Sequence, residues 1–340
     1  MVARIQASAL QRLRTAKGLT QTELAQRSGV TRQLIGAIEA GRQVPNVAAA
    51  LALADALDTT VEALFRTQPK APITLDGQTL AAGIPVNCAR VGDQLIVIPL
   101  TGPDANGWGL TTTITTKDGV EKLLPGSQPE LLIAGCDPIL GTISELLAGT
   151  GHQLLSASAS TGRAIRALAA GRAHGVVVHA PVGELPTPPV PVRRWQLTNW
   201  QVGLAGIATP PSLDRLASGA KPVVQRDPDA GAQKALERAL QSIGAGSGLP
   251  GPVASGHIDA ARRVAYGIGS AGLVMEAAAR HFDLAFTPLE HHRVELWLAE
   301  EWLDLPASQA LVGILTSTSL RTQLQLLPGY DHQQTGTEIR

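Results

Sequence analysis

Gln21, Thr31, Arg32, Gln33 and Arg42 gather amide, hydroxyl and guanidinium groups into one short stretch, with Gly36 beside them. Arginine and amide side chains can form paired hydrogen bonds to base edges, and hydroxyls and cations can hold phosphates. Thr31 can cap a helix, so Arg32, Gln33 and Gly36 fall at its exposed N-terminal end, where a recognition helix meets the major groove. Gln21 sits at the start of the preceding helix, from which it would reach the DNA backbone or a base edge. Gly41 ends the later helix, and Arg42 follows in a loop closed by Pro45, a natural place for a phosphate contact. From residue 1 to 45, seven cations (Arg4, Arg12, Arg14, Lys17, Arg27, Arg32, Arg42) stand against Glu23 and Glu39. The excess of five positive charges is a local footprint for phosphate.

The elements that position these groups are legible in the spacing. Leu10, Leu13 and Ala16 give one helix an apolar face, and Leu34, Ile35 and Ile38 give another the same. Thr20 with Glu23 forms the capping-box pattern and opens a short helix through Leu24 and Ala25 to about Arg27. Gly29 permits the tight turn that follows. A generic basic bundle would need only solvated charges. The stretch Leu10 to Phe65, however, resembles the lambda-repressor/Cro-like XRE family in three places: the T-Q-x-E-L-A start of the second helix, the G-V-T-R-Q turn, and the I-E-x-G-R-x-x-P exit. That resemblance implies a five-helix unit, completed by helices carrying Val47, Leu51, Ala54 and Leu57, then Val61, Leu64 and Phe65.

The whole chain has 340 residues, 44% hydrophobic and 16% charged, and a formal net charge of zero. It is long enough for two or three domains, and the part beyond the first unit need not touch nucleic acid. Cys88 and Cys136 lack metal-ligand spacing and disulfide density, which fits a reducing compartment. No signal sequence and no apolar run of roughly 18 residues is present. A cytoplasmic protein with no membrane partner is therefore expected.

After Phe65 the TQPKAP break leads into short strands, read from ITLDGQTL, LIVIPL and LTTTITT with turn material TGPDANG and KDG between them. Residues 67–127 are expected to be a β-rich connector. From Glu130 strands and helices alternate: ELLIAG, a helix from Asp137 to Leu147, HQLLSAS, a helix from Thr161 to Ala170, and HGVVVHA. This is a βαβ series with a parallel sheet. A proline-rich crossing (GELPTPPVPV) leads to KPVVQRD, the helix PDAGAQKALERAL and a helix from His257 to Tyr266. A return through LAFTPL and HRVELWLAEE suggests two lobes joined by strands, with a cleft between them.

AGCDPILG, AAGRAHGVVVHA, VQRDPDAG, GHIDAARRVAYGIGSAGL, LAFTPLEHHRVELWL and LPGYD resemble the periplasmic-binding-protein-like, molybdate-type domain found behind XRE units in bacterial regulators. The resemblance covers about residues 128 to 331 and implies a two-lobed α/β type II fold used as a sensor. The expected organisation is multidomain: an all-α helix-turn-helix domain at 1–66, the connector at 67–127 and the effector domain at 128–340, with its second lobe at about 207–286. Strand-to-helix turns aim backbone N–H groups into such a cleft. Cys136 with Asp137, Ser160 with Thr161, and Arg226 through Asp229 to Gly231 are those turns. In family members the third turn reads N-R-x-x-G-S-G-T-R. Here its serine, threonine and final arginine become Ala230, Ala232 and Gln233, and Asp227 and Asp229 add carboxylates. A dianion such as molybdate is accordingly disfavoured.

His257 matches a family histidine position and either faces the cleft or caps and packs a helix. His179 ends a buried strand and either lines the cleft or bonds at the sheet edge. His291 and His292 look solvated, and Gly267, Gly269 and Gly272 read as a loop before a strand rather than a dinucleotide motif. Trp195, Trp200, Trp297 and Trp302 read as core. No motif ties a histidine to Cys136, so no catalytic residue, metal or cofactor is expected. The partners expected are a double-stranded DNA operator, a small-molecule effector and a second copy of the chain. The function implied is a transcriptional regulator whose C-terminal domain senses a ligand or mediates dimerisation. The alternative is a ligand-independent regulator with that domain as a scaffold.

Overall fold

The computed structural model describes residues 9–40, 42–65, 71–101, 112–117, 119–124, 128–219, 221–246 and 248–339. Gly41, most of the TQPKAP break, most of TGPDANG and Asp118 of the KDG turn lie outside them. The chain divides into two units, residues 1–68 and 69–340.

The first unit holds α1 (Ala9–Ala16), α2 (Gln21–Ser28), α3 (Arg32–Glu39), α4 (Val47–Ala56) and α5 (Val61–Phe65). Leu10, Leu24, Ile35, Leu53, Leu57 and Leu64 form its core. Thr20 caps α2 with a complete capping box, and Gly29 follows at φ 67° in the left-handed region. Thr31 caps α3 by accepting from Leu34 N.

The second unit begins with β1 (Pro85–Val91), β2 (Gln94–Pro99), β3 (Thr113–Thr115) and β4 (Val120–Lys122), an antiparallel sheet in the order β2-β1-β3-β4. ITLDGQTL is not the strand its alternation suggests. It makes one bridge, Ile73 to Ile96, and then turns, with Gly77 N donating to Thr74 O and Gly77 at φ 82°. One face of the sheet shares a core with the elements that follow: Leu75, Ala89, Val91, Ile96 and Ile98 pack with Leu132, Ala134, Leu155 and Val176. Arg163 adds an ion pair to Asp76 at 2.6 Å.

Next come β5 (Leu131–Gly135), α6 (Ile139–Ala148), β6 (Leu154–Ser158), α7 (Thr161–Ala169), β7 (Gly175–Pro181) and β8 (Val192–Gly206). The second lobe supplies α8 (Leu213–Ala217), β9 (Val223–Arg226), α9 (Gly231–Ser242), β10 (Val253–Ala254), α10 (His257–Ala265), β11 (Ala271–Met275) and α11 (Glu276–His281). The chain closes with β12 (Ala285–Ala299), α12 (Pro306–Leu315), α13 (Thr318–Gln325) and β13 (Glu338–Ile339).

These strands form one sheet in the order β10-β9-β11-β8-β12-β7-β5-β6, with β13 on β8. The return expected through two segments is the single strand β12, 15 residues long like its antiparallel partner β8. The two make a ribbon whose halves serve different neighbours. Val202–Ala205 of β8 pair with β11, whereas His292–Leu298 of β12 pair with β7. β5, β6 and β7 are parallel, as are β9, β10 and β11. Two parallel lobes therefore hang on one ribbon, and the strand ends that open between them define the cleft. Gly267 and Gly269 lie in the turn before β11, with φ 76° and 99°.

Candidate nucleic-acid interface and effector cleft

In the helical unit Thr31, Arg32 and Gln33 are exposed at the start of α3, and Arg42 is exposed beyond its end. Gly36 lies one turn further along α3, facing α2, where a side chain would meet the Gln21 amide at 3.8 Å. Gln21 is committed inward: its Nε2 donates to Glu39 Oε2 at 2.8 Å. Glu39 is buried and also receives Arg14 through Nε at 2.7 Å and Nη2 at 3.1 Å. Arg14 further donates to Leu19 O at 2.7 Å, and Lys17 pairs with Asp58 at 2.7 Å. Arg14 and Lys17, both counted toward phosphate, thus have acidic partners within the unit, because the fold brings Glu39 and Asp58 to them; Arg4 lies outside the described residues. Arg32 and Arg42 are exposed.

In the second unit a cavity of 380 Å³ opens between the lobes. Cys136, Ser156 and Ser158 line it from one lobe, and Ser255, His257 and Asp259 from the other. Asp137, beside Cys136, is not available to a ligand. Its Oδ1 accepts from Ile139 N at 3.0 Å and from the Tyr330 hydroxyl at 2.6 Å, and its Oδ2 accepts from Trp200 Nε1 at 2.9 Å. Burial pushes its carboxyl up, and these three donors oppose the shift. Thr161 Oγ1 exchanges bonds with the backbone of His179 at 3.3 and 3.4 Å, fastening α7 to β7. Asp229 reaches from the second lobe to the first: its carbonyl accepts from Gly162 N at 3.2 Å, and its carboxylate pairs with Arg166 at 2.7 Å. Gly231 packs so closely on His179 that a Cβ there would lie 2.9 Å from the ring.

At the floor of the cleft a chain of bonded groups runs inward. Cys136 Sγ lies 3.3 Å from His179 Nε2, and His179 Nδ1 lies 2.9 Å from His292 Nδ1. His292 Nε2 meets Glu290 Oε2 at 2.9 Å, and Arg238 grips Glu290 through two 2.7 Å bonds. The carboxylate, held below its usual range by its Arg238 and His292 bonds against the opposing effect of burial, accepts only. His292 must then carry its proton on Nε2, His179 must carry its own on Nδ1, and His179 Nε2 is left as an acceptor facing the thiol. Burial drives the pKa of His179 well below the usual histidine range and lowers that of His292. It also pushes the Cys136 thiol up to about 11, against the field of Arg226.

His257 completes the cluster from the opposite lobe. Its Nδ1 accepts from Met275 N at 3.0 Å, which leaves the proton on Nε2. That Nε2 has no partner, and neither do Arg226 Nε and Nη1 or Ser160 Oγ, all of them buried. Cys136, His179 and His257 offer three ligand atoms within 4.8 Å of one another, the geometry of a metal site. The protonation does not fit one: His257 presents N–H where a metal needs a lone pair, and the Arg226 guanidinium adds positive charge alongside.

Residues 144–316 match the PBP superfamily domain, half of the chain, and residues 10–64 match the Helix-turn-helix family. The chain belongs to the PBP superfamily. No curated protein matches it. Among solved structures, the restriction-modification controller protein C.AhdI from Aeromonas hydrophila shares 44% identity over 17% of this chain and 86% of its own, with a TM-score of 0.16. The regulatory domain of HypT from Salmonella typhimurium shares 13% over 56% of this chain and 97% of its own, with a TM-score of 0.43. A phosphate ABC transporter substrate-binding protein from Clostridium perfringens shares 11% over 59% and 98%, with a TM-score of 0.47. The chain is a helix-turn-helix DNA-binding regulator of XRE type fused to a PBP-like regulatory domain.

Within the PBP-like domain the structure brings Cys136, His179, Arg226 and His257 together. It leaves Asp137, Thr161 and Asp229 in structural bonds. His292, expected to be solvated, is fully buried because β12 starts before it and carries it between the lobes; His291 beside it is exposed. Gln233 replaces an arginine of the family turn, and it holds the end of β9 by accepting from Arg226 N at 3.0 Å. The groups that sequence reading left out are Glu290, Arg238 and Tyr330. The LPGYD motif contained Tyr330, but nothing in its spacing points to Asp137. Trp195, Trp200 and Trp297 are buried as expected, and Trp200 stacks within the histidine cluster, 4.6 Å from His179.

Proposed function

We propose that this regulator binds its operator as a homodimer in the cytoplasm, with Arg32, Gln33 and Thr31 at base edges and Arg42 on phosphate. We further propose that a small molecule in the interlobe cleft changes its affinity for DNA. The observation that carries the sensing role is the set of buried donors without acceptors, Arg226 Nε and Nη1, His257 Nε2 and Ser160 Oγ. A buried polar group without a partner destabilises a fold by roughly 1–3 kcal/mol, so several in one place favour a ligand that satisfies them. The reading assigns the domain no catalytic step, because a thiol with its pKa near 11 is not ionised as a nucleophile at neutral pH. The test is a ligand screen by melting temperature on the full chain, followed by operator binding with each stabilising compound. A sensor gives stabilisation that grows with ligand concentration and a shifted operator affinity. No response to any compound would reject it.

A second reading, a ligand-independent scaffold, draws support from the seam at Asp229, which already holds the lobes together through Gly162 and Arg166. It predicts that Asp229→Ala weakens dimerisation or lobe closure while no metabolite changes the melting temperature.

A further inference from the structure

Behind the interlobe cleft lies a buried guanidinium that is only partly satisfied: it bonds to Cys136 and feels the fields of Asp227 and Asp259. Arg226 ends β9 and is 2% exposed, and its Nε and Nη1 meet no acceptor. An uncompensated buried charge is among the least favourable features a fold can carry. The carboxylates nearby hydrogen-bond elsewhere: Asp227 with Asp229 N, Asp137 with Tyr330 and Trp200, Glu290 with Arg238 and His292, and Asp259 with Arg262 and Arg263, so that Asp227 and Asp259 reach Arg226 only through their fields. His257 presents a protonated Nε2, also without a partner and 1% exposed, from the N-terminus of α10. Ser160 adds a buried hydroxyl at the start of α7, one residue before the threonine that bonds to His179. Three side chains from three different strand-to-helix turns thus offer hydrogen-bond donors and one positive charge.

Resting on the sensing role above, we propose that the effector is a small organic monocarboxylate. Its carboxylate is received by Arg226 and His257, with Ser160 as a further donor, and its body lies in the cavity beside Cys136. One guanidinium calls for one negative charge, which favours a monoanion over sulfate or molybdate. A carboxylate brings two oxygens with several lone pairs to donors that lack acceptors. The cavity continues from Cys136 and His257 past Ser156, Ser158 and Ser255 on one hand and Leu140, Ala157 and Ile258 on the other, so the anion carries a body with both polar and apolar faces. At 380 Å³ the space lies at the small end of ligand cavities, which run roughly 300–1,000 Å³. The same donors that suit a carboxylate exclude the metal that Cys136, His179 and His257 would otherwise suggest.

The test uses the full chain in low-chloride buffer, with melting temperature and tryptophan fluorescence as readouts, since the Trp200 ring lies 4.6 Å from that of His179. The probes are formate, acetate, pyruvate and benzoate, with chloride, nitrate, sulfate, molybdate and zinc as controls. The expected result is saturable stabilisation by at least one carboxylate, stronger than by any control. Arg226→Met is expected to melt higher than the natural protein without ligand, because it removes an unpaired charge, and to lose the carboxylate response. Ser160→Ala, which removes a hydroxyl without a partner, is expected to fold normally and bind the carboxylate at least threefold more weakly. Tighter binding of sulfate, molybdate or chloride, or a zinc response abolished by Cys136→Ser, would overturn the proposal. So would an Arg226→Met protein that melts lower and still responds. A neutral compound that stabilises both proteins equally overturns the carboxylate and leaves the sensing role standing. A carboxylate that binds through Arg226 without changing operator affinity upholds this site and rejects the sensing role.

Discussion

The two units treat buried charge in opposite ways. In the helical unit Glu39 is buried and receives three donor groups, two from Arg14 and one from Gln21. In the cleft Arg226 is buried as deeply and has two donor groups without acceptors. A charge whose partners are built into the chain locks a structure. A charge whose partners are missing marks where something else must come. Under the proposed function, the helical unit is a finished surface that presents Arg32 and Gln33, whereas the PBP-like domain is completed by the ligand that fills it.

The comparison breaks most visibly at Glu39. Glu39→Ala strands the Arg14 guanidinium and should destabilise the helical unit by about 3–5 kcal/mol, read as an earlier unfolding transition in urea. A change below about 1 kcal/mol would mean the network is solvated in practice. The histidines of the second unit come next. His174 accepts from Leu132 N at 2.9 Å, and burial lowers its pKa to about 4. A histidine with a depressed folded pKa contributes stability that is complete above the unfolded value near 6.5 and is lost as the pH falls toward 4. The loss amounts to about 3 kcal/mol from this group, and the buried His179 and His257 act in the same direction. His174→Asn keeps an acceptor for Leu132 N and should flatten that acid limb in melts between pH 7 and 4. An equally steep limb would move the effect to the other histidines. Smaller still, Arg32→Ala or Gln33→Ala should weaken specific operator binding by about 1–3 kcal/mol per lost base contact in a gel-shift assay, with the fold unchanged. Full affinity would remove those side chains from the recognition surface.

What the sequence made legible is what repeats locally. The Thr20–Glu23 capping box, the Thr31 cap, the glycine turn at Gly29 and the alternation of strands and helices are written within a few residues of one another. The structure reproduces them. The pairings that decide which groups are free join positions 25, 41 and 113 residues apart: Arg14 with Glu39, Lys17 with Asp58, and His179 with His292. Such contacts leave no periodic trace, so Gln21 and Arg14 read as open to DNA and His292 as solvated until the chain is folded. In the cleft the sequence placed the right turns together but could not tell a partnered acid from an unpartnered base. Asp137 and Arg226 both sit at strand-to-helix turns, and only packing gives the first three donors and leaves Nε and Nη1 of the second without acceptors.

The central claim is that filling the cleft alters the grip on DNA. The measurement that tests it is the affinity of the full chain for an operator selected from random duplexes, with and without the carboxylate that most raises its melting temperature. The account predicts a change of about 5- to 150-fold, absent in Arg226→Met. Equal affinity with and without a saturating ligand would contradict it.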